Sequence, residues 1–307
     1  MSNEKEVTQL DQVDAVQIPV EAFDWYDEYA HGDIDRRTFL KRLAGMTGAG
    51  ITLAMLSSAL LPNYALAEQV SFNDESITAS YLTFPSPKGY GEGRGYFVTP
   101  KKVDGKLPVV LVIHENRGLN PYIKDVARRL AKAGFIAFAP DALYSLGGYP
   151  GNDDEGKVMQ KSLDKNKIEQ DFIAAATFLK AHPLSSGKLG AVGFCFGGYI
   201  VNLLATNVPQ ILDAGVSFYG TPAEQKLRKN IKSPLLIQLG ELDKRVNAYW
   251  PDYEVDLKAN NVDYTMYMYE KANHGFHNDS TARYDPKMAE LAWDRTLAFF
   301  TKNLVSG

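Results

Sequence analysis

The sequence predicts an α/β fold with a mostly parallel central sheet flanked by helices. Three observations carry this. The run Val109-Val110-Leu111-Val112-Ile113 is continuously apolar and mostly β-branched, as a strand buried on both faces requires. Strand-like runs alternate with helical segments through most of the chain, the pattern of successive βα units. Leu189 to Thr206 joins a short apolar strand to an apolar helix through Gly193-Phe194-Cys195-Phe196-Gly197-Gly198. Glycines two residues either side of Cys195 fit a turn too tight for a Cβ, with the central side chain exposed above the sheet.

Residues 1–34 are polar and acidic, apart from the aromatic cluster Phe23, Trp25, Tyr26 and Tyr29. Asp35-Arg36-Arg37-Thr38-Phe39-Leu40-Lys41 follows and resembles the twin-arginine export signal, with Asp in its first place. An apolar run from Leu43 to Leu61 leads to Pro62-Asn63-Tyr64-Ala65-Leu66-Ala67, which offers an Ala-x-Ala cleavage site. Basic region, apolar region and small-residue site in that order read as a targeting segment. The expectation is a leader over 1–67, removed after Ala67 on export, and one domain over 68–307. The expected location is the periplasm or cell envelope, with the twin-arginine translocase a transient partner and the membrane touched through the signal segment alone. An uncleaved anchor is the alternative, because the apolar run is about as long as a spanning helix.

In the body, Ser76 to Phe84 and Gly95 to Thr99 read as a strand pair. Val109 to Ile113 is a buried strand, Pro121 to Ala133 a helix, and Phe135 to Ala139 a strand. Tyr144 to Gly156 reads as glycine-rich loop and Lys157 to Ala181 as one long helix. After the glycine turn, Ala214 to Phe218 and Leu235 to Leu239 are strands, and Tyr249 to Asn260 is a helix. Tyr264 to Tyr269 is a strand and Pro286 to Lys302 a closing helix.

The formal net charge of −4 comes with no basic patch, so no nucleic-acid partner is expected. One cysteine allows neither an intrachain disulfide nor an all-cysteine metal site. No His-Glu-x-x-His helix, Walker-type loop or Gly-x-Gly-x-x-Gly fingerprint is present.

Four chemistry-bearing residues follow predicted strands, where sites form in such sheets. They are Glu115, Cys195, Asp243 and His274. Nucleophile, acid, histidine is the chain order of the α/β-hydrolases. A free thiol has a pKa of ~8.5 and gains from a base, which His274 supplies. Asp243 then fixes the imidazole tautomer. Glu241 is a rival acid and His277 a rival base. His114 closes its strand, with a satisfied buried hydrogen bond as the plain reading. A redox-reactive thiol and a catalytically silent binding protein remain competing readings of Cys195.

His114-Glu115-Asn116-Arg117-Gly118-Leu119-Asn120, Pro140-Asp141-Ala142-Leu143-Tyr144, Gly193 to Gly198, Gly240-Glu241-Leu242-Asp243 and His274-Gly275-Phe276 together resemble the dienelactone hydrolase (carboxymethylenebutenolidase) family. The resemblance covers residues 75–305. It implies an ester or lactone hydrolase with a Cys195–His274–Asp243 triad, an acyl-thioester intermediate and no cofactor. It implies that Glu115 holds or takes the thiol proton, and that the backbone N–H groups of Asn116 and Phe196 form the oxyanion hole. A peptidase or thioesterase on the same scaffold is the runner-up. The family's two carboxylate-gripping arginines are missing: Ser145 and Leu146 follow Tyr144, and Asn278 stands four after His274. Arg117, Tyr144, Ser145 and Asn278 are the candidate pocket residues. A small neutral ester or lactone is therefore expected over dienelactone. The oligomeric state is not legible in the sequence.

Overall fold

The structure, a computed structural model, describes residues 18–47, 52–60 and 62–305. The chain divides into two compact units, Met1–Pro62 and Asn63–Gly307. The sequence expectation put the boundary after Ala67.

In the first unit, α1 (Val20–His31) ends on Gly32 at φ 84°, the left-handed conformation that glycine adopts without a Cβ clash. The side chain of Asp35 caps α2 (Arg36–Ala44) by accepting from the Thr38 N–H at 2.7 Å. The residue in the first place of the twin-arginine-like motif is thus a helix cap. The aromatic cluster joins the two helices: Tyr29 stacks on Phe39 at 4.9 Å, and Tyr26 meets Phe39 edge-on. α3 (Leu53–Leu60) follows. Among the described residues no helix is long and apolar enough to cross a membrane. Residues 48–51 and 61 of the apolar run lie outside the described residues.

The second unit opens with the short helix α4 (Tyr64–Ala67), then β1 (Ile77–Ser86) and β2 (Gly91–Pro100). Next come β3 (Leu107–Ile113), α5 (Pro121–Lys132), β4 (Ile136–Pro140), α6 (Asp153–Ser162) and α7 (Lys165–Lys180). β5 (Ser185–Phe194), α8 (Phe196–Asn207), β6 (Ala214–Phe218), β7 (Leu235–Gly240) and α9 (Lys244–Asn247) follow. α10 (Trp250–Ala259), β8 (Tyr264–Tyr269) and α11 (Pro286–Phe300) complete it, with a π-helical turn at Thr301–Val305. The eight strands form one sheet in the order β1-β2-β4-β3-β5-β6-β7-β8. β1–β2 and β2–β4 are antiparallel and the remaining pairs parallel, as the sequence predicts.

Alternation along β3 sends its side chains to both faces. Val110 and Val112 pack with Ile123 and Val126 of α5 and Ala292 of α11. Val109, Leu111 and Ile113 pack with Phe172 of α7, Ile200 and Leu204 of α8, and Leu257 of α10. Both faces are covered, which is why β3 reads as a continuous apolar run.

The stretch from Tyr144 to Ala181 differs from the sequence expectation. α6 begins inside the expected loop, because Asn152 caps it by accepting from the Asp154 and Glu155 N–H groups. The expected single long helix breaks at Leu163, which is extended, and Asp164 restarts it by accepting from the Lys167 N–H at 3.1 Å.

Candidate active site

Cys195 sits between β5 and α8 at φ 55°, ψ −111°, a conformation non-glycine residues rarely hold. The surrounding packing enforces it. A Cβ on Gly193 would lie 2.0 Å from the Gly197 carbonyl oxygen, and one on Gly197 would lie 2.1 Å from that of Ile113. The Cys195 N–H donates to the Phe218 carbonyl at 3.1 Å, tying the turn to β6. The thiol is half-buried. Phe196 opens α8, so its N–H is among the helix's unpaired donors.

The carboxyl ends of β7 and β8 bring the next pair together. His274 Nδ1 donates to Asp243 Oδ2 at 2.5 Å, with both side chains buried. Asp243 Oδ1 also accepts the Val246 N–H at 3.0 Å, capping α9. One carboxylate therefore fixes both the helix and the imidazole, leaving Nε2 as the ring nitrogen turned away from Asp243. Glu241 is exposed and accepts from the Lys271 N–H instead. His277 is buried against the Tyr122 hydroxyl at 2.7 Å, between the rings of Phe218 and Trp293. Burial and the Arg129 charge hold its pKa well below the ordinary histidine value. It is a neutral core residue.

Glu115, just beyond β3, is buried at 7% exposure and accepts from Asn278 Nδ2 at 3.0 Å. Burial raises its pKa; Arg117 opposes the rise, Cys195 adds to it, and Arg283 and His274 oppose it further. Glu115 thus lies within electrostatic reach of the thiol and the imidazole. His114 holds its backbone: Nδ1 donates to the Glu115 carbonyl, while Nε2 accepts the Ala142 N–H at 3.2 Å. That is the satisfied buried histidine the sequence reading expects, and burial lowers its pKa.

Of the other candidate pocket residues, Arg117 pairs with Asp153 at 3.3 Å and also reaches Glu115. Asn116 lies between Glu115 and Arg117 in the same segment. Tyr144 turns aside and donates to Glu92 at 3.1 Å, and the exposed Ser145 lines the same shallow depression with Tyr90 and Phe172. The sequence reading missed Tyr219, one residue beyond β6 and packed 4.9 Å from the His274 ring. Its signal was the same as for the others, a polar residue just past the carboxyl end of a predicted strand. It also missed Asp153, on which Tyr64, Tyr149 and Arg117 converge. Tyr149 and Asp153 are four residues apart, but nothing short-range in the sequence links them to Tyr64 or Arg117. Among the described residues no group of three or more His, Cys, Asp and Glu side chains is arranged to hold a metal ion.

Comparison with known proteins gives this arrangement a family. The profile described as the dienelactone hydrolase family matches residues 94–304, about two-thirds of the chain. The chain belongs to the dienelactone hydrolase family. A second profile, described as YqhI-like, matches residues 11–49. Protein usf of Aquifex pyrophilus is 38% identical over 224 residues, covering 69% of this chain and 94% of its own length. An Aquifex aeolicus (strain VF5) protein named after carboxymethylenebutenolidase is 37% identical over 220 residues, covering 67% of this chain and 92% of its own. Among solved structures, the dienelactone hydrolase-like promiscuous phosphotriesterase P91 from metagenomic libraries superposes with a TM-score of 0.65 at 25% identity. That match covers 75% of this chain and 99% of that one. The protein is thus a dienelactone hydrolase-like hydrolase on an α/β-hydrolase fold, as the sequence motifs imply.

Proposed function

We propose that this dienelactone hydrolase family member cleaves a small ester or lactone through Cys195, His274 and Asp243. The observation that carries the reading is the buried His274–Asp243 hydrogen bond at 2.5 Å, together with a cysteine on a strained strand-to-helix turn that acts on the same Glu115 as His274. Sγ of Cys195 attacks the carbonyl carbon, and its proton passes to His274 Nε2, directly or by way of Glu115. The oxyanion forms against the N–H groups of Asn116 and Phe196. The C–O bond then breaks, His274 protonates the departing oxygen, and the acyl group stays on sulfur as a thioester. Water, deprotonated by His274, releases the acid and restores the thiol. Asp243 keeps the imidazole in the reactive tautomer throughout. Asn278 is engaged by Glu115, so a substrate carboxylate finds a neutral amide where the family pattern has a cation. Small neutral esters and lactones are the preferred class.

The test is a panel of neutral esters, neutral lactones and a carboxylated dienelactone. Cys195→Ala and His274→Ala should each lower kcat by several orders of magnitude, and the double variant little further, because the groups act as one unit. Asp243→Asn should cost less than Cys195→Ala. Full activity in Cys195→Ala overturns the nucleophile, and dienelactone turned over best of the panel overturns the substrate class.

Export through the twin-arginine translocase belongs to the same proposal and rests on Arg36-Arg37, the apolar run and Ala65-x-Ala67. An Arg36→Lys/Arg37→Lys variant should stay in the cytoplasm at full length. Unchanged fractionation of that variant overturns the route.

A further inference from the structure

Tyr219 is fully buried and stands just past the carboxyl end of β6 at φ 38°, in the left-handed region where a bulky residue is strained. Its place is fixed. The backbone N–H donates to the Gln238 carbonyl at 2.8 Å, and a Cβ on the next residue, Gly220, would lie 2.3 Å from the Gly198 backbone. The ring packs 4.9 Å from that of His274 and 5.7 Å from that of Phe276. Glu115 after β3, Cys195 after β5 and Arg283 beyond β8 lie within electrostatic reach of the hydroxyl. From α5 comes the hydroxyl of Tyr122, itself bonded to His277. The Tyr219 hydroxyl approaches that of Tyr122 but completes no hydrogen bond of ordinary geometry with it or with any other described group.

A buried hydroxyl with no well-formed hydrogen bond and a strained backbone both cost stability, and phenylalanine would remove the first cost. We infer that Tyr219 is a positioning residue of this site, its hydroxyl set to donate to the charge that appears on Cys195. This rests on the reading of Cys195 as the nucleophile. A neutral thiol draws the phenol weakly. When the thiol proton leaves for His274 or Glu115, the sulfur keeps the electron pair, and the phenol, retaining its own proton, donates a hydrogen bond to it. The ring meanwhile limits the rotation of His274.

Tyr219→Phe keeps the ring and removes the donor. The rate of Cys195 alkylation by iodoacetamide, followed from about pH 5 to 9, reports thiolate formation directly. The midpoint should move upward by roughly one unit in Tyr219→Phe, with kcat reduced about tenfold or more and KM little changed. Its Tm should equal or exceed that of the wild type, the opposite of what a purely structural tyrosine would show. Tyr122→Phe, which removes the neighbouring hydroxyl, should leave the alkylation midpoint in place. An unchanged midpoint in Tyr219→Phe, or a shift no larger than in Tyr122→Phe, overturns the inference. Cys195→Ala in the same ester assay separates the two readings. If that variant stays active the nucleophile assignment has failed; if it is inactive while Tyr219→Phe titrates normally, only the role of Tyr219 has failed.

Discussion

Glu115 is a carboxyl group in surroundings that favour its protonated form, because burial outweighs the nearby arginines and Cys195 adds to the effect. Its pKa is raised on folding, so the folded state binds the proton more tightly than the unfolded chain. That contribution to stability is present below the ordinary carboxylate range and is lost as pH rises through the raised value. Glu115→Gln removes the ionisation while its side-chain oxygen can still accept from Asn278. The Tm of the variant minus that of the wild type should therefore grow more positive between about pH 4 and 7. A flat difference across that range would show that Glu115 carries no proton linkage. Near the thiol the consequence is chemical as well. An ionised Glu115 sets a like charge beside the Cys195 thiolate, so Glu115→Gln, which removes that charge, should also displace the Cys195 alkylation profile.

Among the elements, α6 shows how packing overrides propensity. Alanine in a helix interior usually gains up to about 1 kcal/mol over glycine. Gly156 is a helix residue, yet a Cβ there would lie 2.3 Å from the Arg117 carbonyl oxygen. Overpacking of that kind costs about 1–3 kcal/mol, so the clash wins. Gly156→Ala should lower stability in urea unfolding. It should also lower kcat/KM, because it pushes on the segment that carries Glu115 and Asn116. A more stable and fully active variant would show that α6 and this segment move independently. The same helix marks a limit of sequence reading. β3, the turn around Cys195 and the strand ends were legible because their causes are local: an apolar run, two glycines, a polar residue after a strand. The start of α6 had a local cause as well, Asn152 followed by Asp153, Asp154 and Glu155, but the glycines before it hid the cap. The break at Leu163 was missed because helical spacing continues through it, although Asp164 is a capping residue. Within the site, Cys195, Asp243, His274 and Glu115 were legible as strand-end residues. The grouping of Arg117 with Asp153, Tyr149 and Tyr64 was not, since residues 64 and 153 meet only through the tertiary fold.

At the scale of the molecule, the segment around the expected cleavage site is part of the second unit. The Asn63 N–H donates to the Ser280 carbonyl, and the Tyr64 hydroxyl donates to Asp153 and accepts from Asn120 Nδ2. Beyond it, Glu68 pairs with Arg128 at 2.8 Å, and the Gln69 and Val70 N–H groups donate to Asp125. A chain beginning at Asn63 should therefore be more stable than one beginning at Glu68. A hydrogen bond to a charged group contributes about 1.5–3 kcal/mol, and Asp153 loses the one from Tyr64 when the chain is cut after Ala67. Side-by-side melting of the two forms checks this, and equal Tm values would mean that Tyr64 rests on the surface without holding it.

That anchoring gives heat a way to report on history. A precursor and a product cut after Ala67 would have the same sheet and the same Cys195, yet differ in whether Asp153 keeps its tyrosine from helix α4. With about 2–4 °C per kcal/mol for a domain of this size, the two would melt several degrees apart. A thermal profile of protein taken directly from cells would then show two transitions if both forms coexist and one if processing is complete. Warming an extract would thus read out how far a peptidase had gone, with no need to sequence an N-terminus.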